Sequence, residues 1–355
     1  MMSQFLVSIL SGQDKKGDCM FAEYLPVLFL LQFSTAIFVY SDSKKRKMAN
    51  SLQWIIAVAF LMPFFLPLYI LLRPRKGLFH CPNCLIENTF PIDHCKNCGV
   101  EITTDRIKFT QMEWGLFDAI TILVLSFFIL PFSLAGIGDL FGIVDKKFES
   151  WGSLFFINFV GSASLLFLSL WFILHVCKRH LGDIGLTKEH LYRNVLIGVL
   201  AIIPAFALAY VTEEMVVRGL TNLLPSQYEL IMQMKDQEHN VGGGIWPENI
   251  VDVRTIGAGF LMIILAPVAE EVIFRGMIYT AFRKRRSRWT AMVLTSLLFA
   301  FSHGQFLHFL AIFSSGFLLV YLYDRTKSLI PPIALHISMN LLFTILWYYN
   351  PSLYT

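Results

Sequence analysis

The stretch that decides the fold is LAPVAEEVIFRGM, Leu265–Met277, which places two adjacent glutamates and an arginine in very apolar sequence. An ionisable residue in a membrane helix is costly, and it marks a functional site by default. Glu271 and Arg275 stand four residues apart, in the favoured order for a helical ion pair. Glu270 is rotated from them by about 100°. It therefore lacks a partner in its own helix, and burial would raise the pKa of such a carboxyl toward the range of a general acid or base.

The composition is that of a membrane protein. The chain has 355 residues, of which 55% are hydrophobic and only 15% are charged, whereas a soluble domain carries about 25% charged residues. The net charge is +4, and the basic residues fall in short clusters between apolar runs. Such clusters are typical of cytoplasmic loops. We therefore predict a multi-pass protein of the plasma membrane of a prokaryote, surrounded by lipid, with no nucleic-acid partner.

Apolar runs of roughly 20 residues are long enough to cross a bilayer. They predict an all-α fold, a polytopic transmembrane bundle of about 8–9 spans. The predicted runs are Tyr24–Tyr40, Leu52–Leu72, Gly115–Ile137, Gly152–Cys177, Val195–Val211, Ile256–Phe282, Thr290–His303, Phe306–Tyr323 and Leu329–Tyr348. We divide the chain into an N-terminal membrane hairpin at residues 1–72, a small ribbon at 73–113 and a helical membrane domain at 114–355.

Basic clusters predict the orientation of the spans. The strongest are RKRRSR at Arg283–Arg288 and the stretch Lys178–Arg193, which we place in the cytoplasm. The polar stretch Arg73–Glu113 then lies in the cytoplasm as well. The long polar loop Thr212–Thr255 lies outside.

One basic cluster disagrees with this orientation. KKRK at Lys44–Lys47 would face outward if both early runs cross the membrane. Either this hairpin breaks the positive-inside rule, or Leu52–Leu72, which contains Pro63 and Pro67, is interfacial or re-entrant. The sequence leaves both alternatives open.

Two CxxC pairs separated by ten residues have the spacing of a zinc ribbon with four thiolate ligands. The predicted ligands are Cys81, Cys84, Cys95 and Cys98. The alternatives are disulfides or unliganded thiols, but a cytoplasmic location favours a closed, structural zinc site. A ribbon of ~25 residues has almost no core, so we expect the ion to supply most of its folding energy. Cys19 and Cys177 are expected to be ordinary free thiols.

Two later spans carry polar groups at helical spacing. FAFSH places Phe299 and His303 on one helix face, and HISMN places His336 and Asn340 on another. At 1.5 Å per residue, these groups and Glu270 lie roughly 11–20 Å from the cytoplasmic ends of their spans. We therefore expect the four polar side chains to line one cavity near the midplane that opens to the cytoplasm.

The predicted cavity contains the functional groups needed to hydrolyse an amide bond without a covalent nucleophile. A carboxylate and an imidazole can polarise one water, and an imidazole with an amide can donate to a developing oxyanion. One glutamate and two histidines also match a hydrolytic zinc set, so a catalytic metal stays open. A histidine in a membrane helix also commonly serves only packing or a helix–helix hydrogen bond.

The motifs EEVIFRG, FAFSH and HISMN stand in the chain as EExxxRG, FxxxH and HxxxN, in that order. This arrangement resembles the CPBP family of intramembrane proteases, which includes the CAAX prenyl proteases and bacterial relatives linked to bacteriocin immunity. The resemblance covers roughly Gly115–Tyr348. It makes residues 114–355 a CPBP-type intramembrane protease domain, with the ribbon and the first hairpin as accessory additions.

The resemblance implies a role for each motif residue. Glu270 would be the water-activating base, with His303 as its partner. His336 and Asn340 would form the oxyanion hole. The supporting residues would be Glu271, Arg275 and Phe299. Members are often called metalloproteases, although the family's best-understood mechanism depends on the glutamate.

The stretch TEEMVVRG repeats the first motif at Glu213, Glu214 and Arg218. It is either a remnant of internal duplication or a second polar contact. We prefer the Glu270 copy, because both histidine motifs follow it.

The leading hypothesis is an endopeptidase that cuts a membrane-associated or extended peptide substrate from the cytoplasmic side. One alternative is a catalytically silent scaffold or immunity protein with the same fold. A proton- or ion-coupled transporter ranks last, because the chain shows no clear inverted repeat.

Overall fold

The computed structural model describes residues 20–46, 48, 50–74, 77–102, 107–140, 151–239 and 253–349. Cys19, Lys47 and part of the predicted outer loop, residues 240–252, lie outside the described residues. The chain divides into two compact units. The first comprises Met1–Leu125 with Leu170–His180, and the second comprises Ser126–Ser169 with Leu181–Thr355.

Helices dominate both units, as the predicted fold class requires. The helices are α1 Met20–Lys45, α2 Ser51–Leu72, α3 Leu116–Asp139, α4 Trp151–Val176, α5 Leu191–Leu223, α6 Tyr228–His239, α7 Thr255–Arg283, α8 Arg288–His303, α9 Phe309–Thr326 and α10 Ile330–Tyr349. Short π-helical segments interrupt α3 and α7 and form the last residues of α4.

Among the described residues, α3, α4, α5 and α7 are long and apolar enough to cross a membrane. The fold is therefore an all-α membrane bundle, as predicted, and the total number of spans stays a prediction. The predicted loop Thr212–Thr255 differs from the structure, because α5 continues to Leu223 and α6 follows. The Glu214–Arg218 ion pair supports this extension at i,i+4 spacing.

The segment with the paired cysteines forms a three-stranded antiparallel sheet. Its strands are β1 Gly77–His80, β2 Glu87–Phe90 and β3 Phe109–Met112, in the order β2-β1-β3. Phe79, Phe90, Ile102 and Ile107 are buried beneath it, together with two of the cysteines. The expectation that the ribbon has almost no core is therefore wrong, because both strands and loops contribute apolar side chains.

Helix α2 turns back on itself. The rings of Trp54 and Tyr69 lie 5.5 Å apart, although fifteen positions separate them and a straight helix would place them about 22 Å apart. Pro63 and Pro67 lie between the two aromatic residues. Because proline has no N–H, it breaks the helical hydrogen-bond ladder and permits a sharp bend.

Both ends of α2 lie beside the C-terminal end of α1. Asp42 Oδ2 accepts hydrogen bonds from Arg46 at 2.7 Å, from the Tyr69 hydroxyl at 2.8 Å and from Arg73 at 3.0 Å. Arg46 also donates to the carbonyl of Pro74. This geometry favours the re-entrant alternative for α2, and it places the basic residues before and after α2 on the same side.

The re-entrant geometry predicts the outcome of a topology experiment. A compartment reporter inserted after Arg46 and one inserted after Pro74 should report the same side of the membrane, because α2 returns to the side from which it started. A third insertion at Gln227, between α5 and α6, serves as a control for the opposite side. Opposite sides for the first two insertions would show that α2 spans the bilayer.

Candidate active site

The second unit contains a cavity of about 730 Å³ that is lined by side chains from several helices. Four of the lining residues are those predicted to be catalytic: Glu270, His303, His336 and Asn340. Three motifs that are far apart in the sequence therefore contribute to one concave surface. Folding brings them together because α7, α8, α9 and α10 pack against one another.

A fully buried ion pair lies beside this cavity. Arg275 Nη1 donates to Glu271 Oε1 at 2.8 Å, and both side chains are completely inaccessible to solvent. His336 Nδ1 lies 2.8 Å from the same carboxylate oxygen. Because an ionised carboxylate has no proton to donate, Nδ1 is the donor. Glu271 therefore orients the imidazole, and Nε2 of His336 is left on the other side of the ring.

Glu270 has a different environment from its neighbour. Its Oε2 atom is buried and has no hydrogen-bond partner among the described residues. The nearest cationic partner is His336 Nε2 at 3.9 Å, which is too long for a direct hydrogen bond. Oε2 of Glu271 also lacks a partner, but its Oε1 bonds both Arg275 and His336. Glu270 thus lines the cavity with one carboxylate oxygen that has no hydrogen-bond partner among the described residues.

Phe299 connects the three motifs through its ring. It packs edge-on against His303 at 4.6 Å and His336 at 5.9 Å between centroids, and the Arg275 guanidinium lies 4.5 Å from its centroid. His303 Nδ1 lies 2.8 Å from the carbonyl of Phe299. Since a carbonyl only accepts, Nδ1 carries the hydrogen, and Nε2 of His303 is free to accept from a water.

Asn340 is held by a backbone group that the sequence does not reveal. Its Nδ2 donates to the carbonyl of Met262 at 2.8 Å. Met262 belongs to the π-helical segment Phe260–Leu265 of α7. An amide nitrogen carries two hydrogens, so one remains for a ligand in the cavity.

Gly316 is a further residue that the sequence analysis missed. Its carbonyl accepts from Arg275 Nη2 at 3.1 Å. A Cβ atom at this position would lie 2.9 Å from the Phe299 ring, which is closer than carbon atoms pack. The absence of a side chain at position 316 therefore lets α9 approach the ion pair and the ring. No motif in the sequence indicates that position 316 must be a glycine.

A second polar group lines the same cavity. Glu213 Oε1 lies 3.5 Å from Lys235 Nζ and 3.7 Å from His308 Nε2, and all three residues line the cavity. The adjacent Glu214 instead pairs with Arg218, whose side chain is 73% exposed. Of the two explanations for the repeated motif, the structure favours a second polar contact.

The four paired cysteines form a compact cluster in the first unit. Their sulfur atoms all lie within 4.8 Å of one another, and the Cys81–Cys98 and Cys84–Cys95 distances are both 3.6 Å. Four sulfurs at about 2.3 Å from a central ion form a tetrahedron with edges of about 3.8 Å. The cluster could therefore hold a metal ion with little adjustment.

The surroundings of the cluster act differently on two of its thiols. Backbone N–H groups of Cys98 and Asn97 lower the pKa of Cys95 to about 6, whereas burial raises the pKa of Cys81 to about 11. The buried amide of Asn88 donates to the sulfur of Cys95 at 3.5 Å and to the carbonyl of Ile86 at 2.8 Å. Asn88 thereby connects the two CxxC loops, a role that no sequence pattern indicates.

Two observations bear on the alternatives for these sites. All the described cysteines, including the buried Cys177, are free thiols. Among the described residues, only the four-cysteine cluster brings three or more potential ligands close enough to share an ion, and the group around Glu270 does not.

Comparisons with known proteins locate the similarity in the C-terminal part of the chain. Residues 252–342 match a family model described as “Type II CAAX prenyl endopeptidase Rce1-like”. All three motifs, from Glu270 to Asn340, fall within the matched residues. No solved structure matches the chain.

Two curated relatives are similar over shorter stretches. The first, from Bacillus subtilis (strain 168), is named “Putative membrane peptidase YdiL” and is 36% identical over 77 residues, which is 22% of this chain and 32% of the relative. The second, “Uncharacterized 24.3 kDa protein” from Escherichia coli, is 30% identical over 159 residues, or 42% of this chain and 65% of the relative. The chain thus spans between about a third and just under two thirds of these relatives.

The family match covers the helices that build the cavity, and the motifs occur in it in the expected order. These findings support the resemblance of residues 252–342 to the CPBP family, through the Rce1-like family model.

Proposed function

We propose that the protein is an intramembrane endopeptidase, which hydrolyses a peptide bond of a membrane-associated substrate with a water activated by Glu270. The observation that carries this proposal is the buried, unpartnered oxygen of Glu270 on the wall of a cavity. A carboxylate in that position has no structural partner to serve, so it is available to bind and deprotonate a water.

The proposed reaction begins with this water. Glu270 accepts one proton from it, and Nε2 of the neutral His303 accepts the other hydrogen as a hydrogen bond. The water oxygen attacks the carbonyl carbon of the peptide bond and forms a tetrahedral intermediate. Glu270 then delivers its proton to the leaving nitrogen, the C–N bond breaks, and the carboxylate is regenerated.

His336 and Asn340 are the proposed donors to the oxyanion. The second hydrogen of Asn340 Nδ2 is free, and Nε2 of His336 donates when the imidazole is protonated. The carboxylates of Glu271 and Glu270 flank this ring on opposite sides. Donors fixed in position before the reaction stabilise a developing oxyanion without reorganisation.

The first prediction concerns the proposed base. Glu270→Gln should lower kcat/KM by about 10²–10⁴-fold, because the amide cannot accept the proton from water. Cleavage of a peptide library in detergent, read by mass spectrometry, measures this loss. The matched control is Glu214→Gln, which alters the surface member of the repeated motif and should retain activity.

Two results would contradict the proposal. Retained cleavage in Glu270→Gln would remove this residue from the chemistry. A wild-type protein that cleaves no peptide and binds a partner equally well with either glutamine would instead favour the catalytically silent scaffold.

The second prediction separates the two adjacent glutamates by stability. Glu271→Gln should lower the free energy of unfolding by about 3–5 kcal/mol, because it leaves the buried Arg275 without its counter-charge. Glu270→Gln should leave stability unchanged or raise it, because it removes an unpaired buried charge. Thermal unfolding of both variants in the same detergent measures the difference, and equal losses would refute the assigned roles.

We also propose that the four-cysteine cluster holds a structural zinc ion. Cys81, Cys84, Cys95 and Cys98 would be its ligands, and all four positions would be filled by sulfur, so the ion would stabilise the ribbon and take no part in catalysis. The basic clusters support a cytoplasmic location for this ribbon. We also propose a location in the plasma membrane of a prokaryote, since both relatives come from bacteria and one is named a membrane peptidase.

The third prediction tests the ion. The purified protein should contain about one zinc per chain by elemental analysis. Cys95→Ser should lose the zinc, because three thiolates bind it much more weakly than four, whereas Cys177→Ser should retain it. Loss of zinc in Cys177→Ser, or its retention in Cys95→Ser, would place the ion elsewhere.

A further inference from the structure

The cavity extends to only one side of the proposed catalytic residues. Along α9 its lining residues run from His308 at the N-terminal end to Leu319, and the last turns of the helix do not contribute. Along α10 the lining begins at His336 and continues to Leu346. Along α7 it ends at Glu270. Because α7 runs antiparallel to α10, all three helices place the open space on the same side of Glu270.

The other side of Glu270 is filled. Every residue of the segment Val272–Tyr279 is buried. The Tyr279 hydroxyl donates to Asp324 at 2.6 Å, and the Tyr323 hydroxyl donates to the carbonyl of Ile184 at 3.2 Å. Together with the buried Arg275, these side chains form a packed layer. A peptide has no route to Glu270 through it.

The packed side is also the basic side of this unit. The cluster Arg283–Arg288 follows the end of α7, and Arg288 pairs with Asp324 at 2.6 Å. Lys327 pairs with the same carboxylate at 2.8 Å. An excess of lysine and arginine in short loops identifies the cytoplasmic face of a membrane protein.

We infer that substrate enters the cavity from the non-cytoplasmic face, so that the substrate is a polypeptide segment exposed on that face of the membrane. This inference rests on the proposed function for the nature of the substrate. It reverses the expectation that the cavity opens to the cytoplasm. Residue depth alone placed Glu270 near the midplane, and from there either face is equally near.

The second polar group lies toward this entrance. His308 precedes Gly316 by eight residues on α9, which places it about 12 Å from the level of the buried ion pair. Glu213 lies 3.5 Å from Lys235 and 3.7 Å from His308. These charged and polar groups line the cavity on the entrance side, so we assign them the first contact with the substrate.

The direction of entry is tested by the accessibility of a cysteine inside the cavity. Ser315 is buried and lines the cavity, and Ser315→Cys changes one atom. The protein is placed in sealed membrane vesicles of both orientations and treated with a small, charged, impermeant thiol reagent. Modification should be at least ten-fold faster when the non-cytoplasmic face is outward. The chain without the added cysteine gives the baseline.

Two further serine variants define the limits of this measurement. Ser287→Cys, in the exposed basic loop, should react only when the cytoplasmic face is outward. Ser296→Cys, buried on α8 and not part of the cavity lining, should react in neither orientation. Faster modification of Ser315→Cys from the cytoplasmic face, or none from either face, would overturn the inferred entry. Because this assay needs no cleavage, its outcome is independent of the Glu270 test.

Discussion

The structure of the candidate active site depends on one buried ion pair, between Glu271 and Arg275. Such a pair gains little net stability, because both charges lose their hydration. Its effect here is geometric. The carboxylate fixes one nitrogen of His336, and the guanidinium contacts the Phe299 ring and the carbonyl of Gly316. One interaction therefore connects side chains from three helices with the backbone of a fourth.

The same pair explains why two glutamates stand side by side. Glu271 is already hydrogen-bonded to Arg275 and His336, so it neutralises much of the charge of Arg275. Glu270 makes no direct ion pair with the arginine and is left available for the proposed activation of a water. A single glutamate could not both neutralise the arginine and stay available to activate a water.

The accessory parts of the chain follow different physical rules from the bundle. The ribbon combines a small apolar core with four sulfur atoms, so a metal would add to an existing fold. Helix α2 is almost entirely apolar, yet its two ends lie close together, since Asp42 binds the arginines before and after it. Its two prolines permit the bend that this requires. Hydropathy measures length and composition, and it does not report such a bend.

The sequence by itself determined the helical membrane class, the positions of most of the apolar helices and the residues that carry the three motifs. These features follow from local periodicity, apolar length and the spacing of charges. The i,i+4 ion pair of Glu271 with Arg275 could also be predicted from the sequence, because both residues lie within one helix. The four-cysteine cluster could be predicted from the sequence, because two CxxC pairs at this spacing are typical of a metal site.

Only the tertiary structure decided which groups meet across helices and on which side the cavity lies. The hydrogen bond of His336 to Glu271, that of Asn340 to the Met262 carbonyl, and the approach of Gly316 join residues 41 to 78 positions apart. The position of Glu213 beside Lys235 and His308 likewise depends on the packing of separate helices. Such contacts are set by how helices pack in three dimensions, and no local pattern in the chain encodes them.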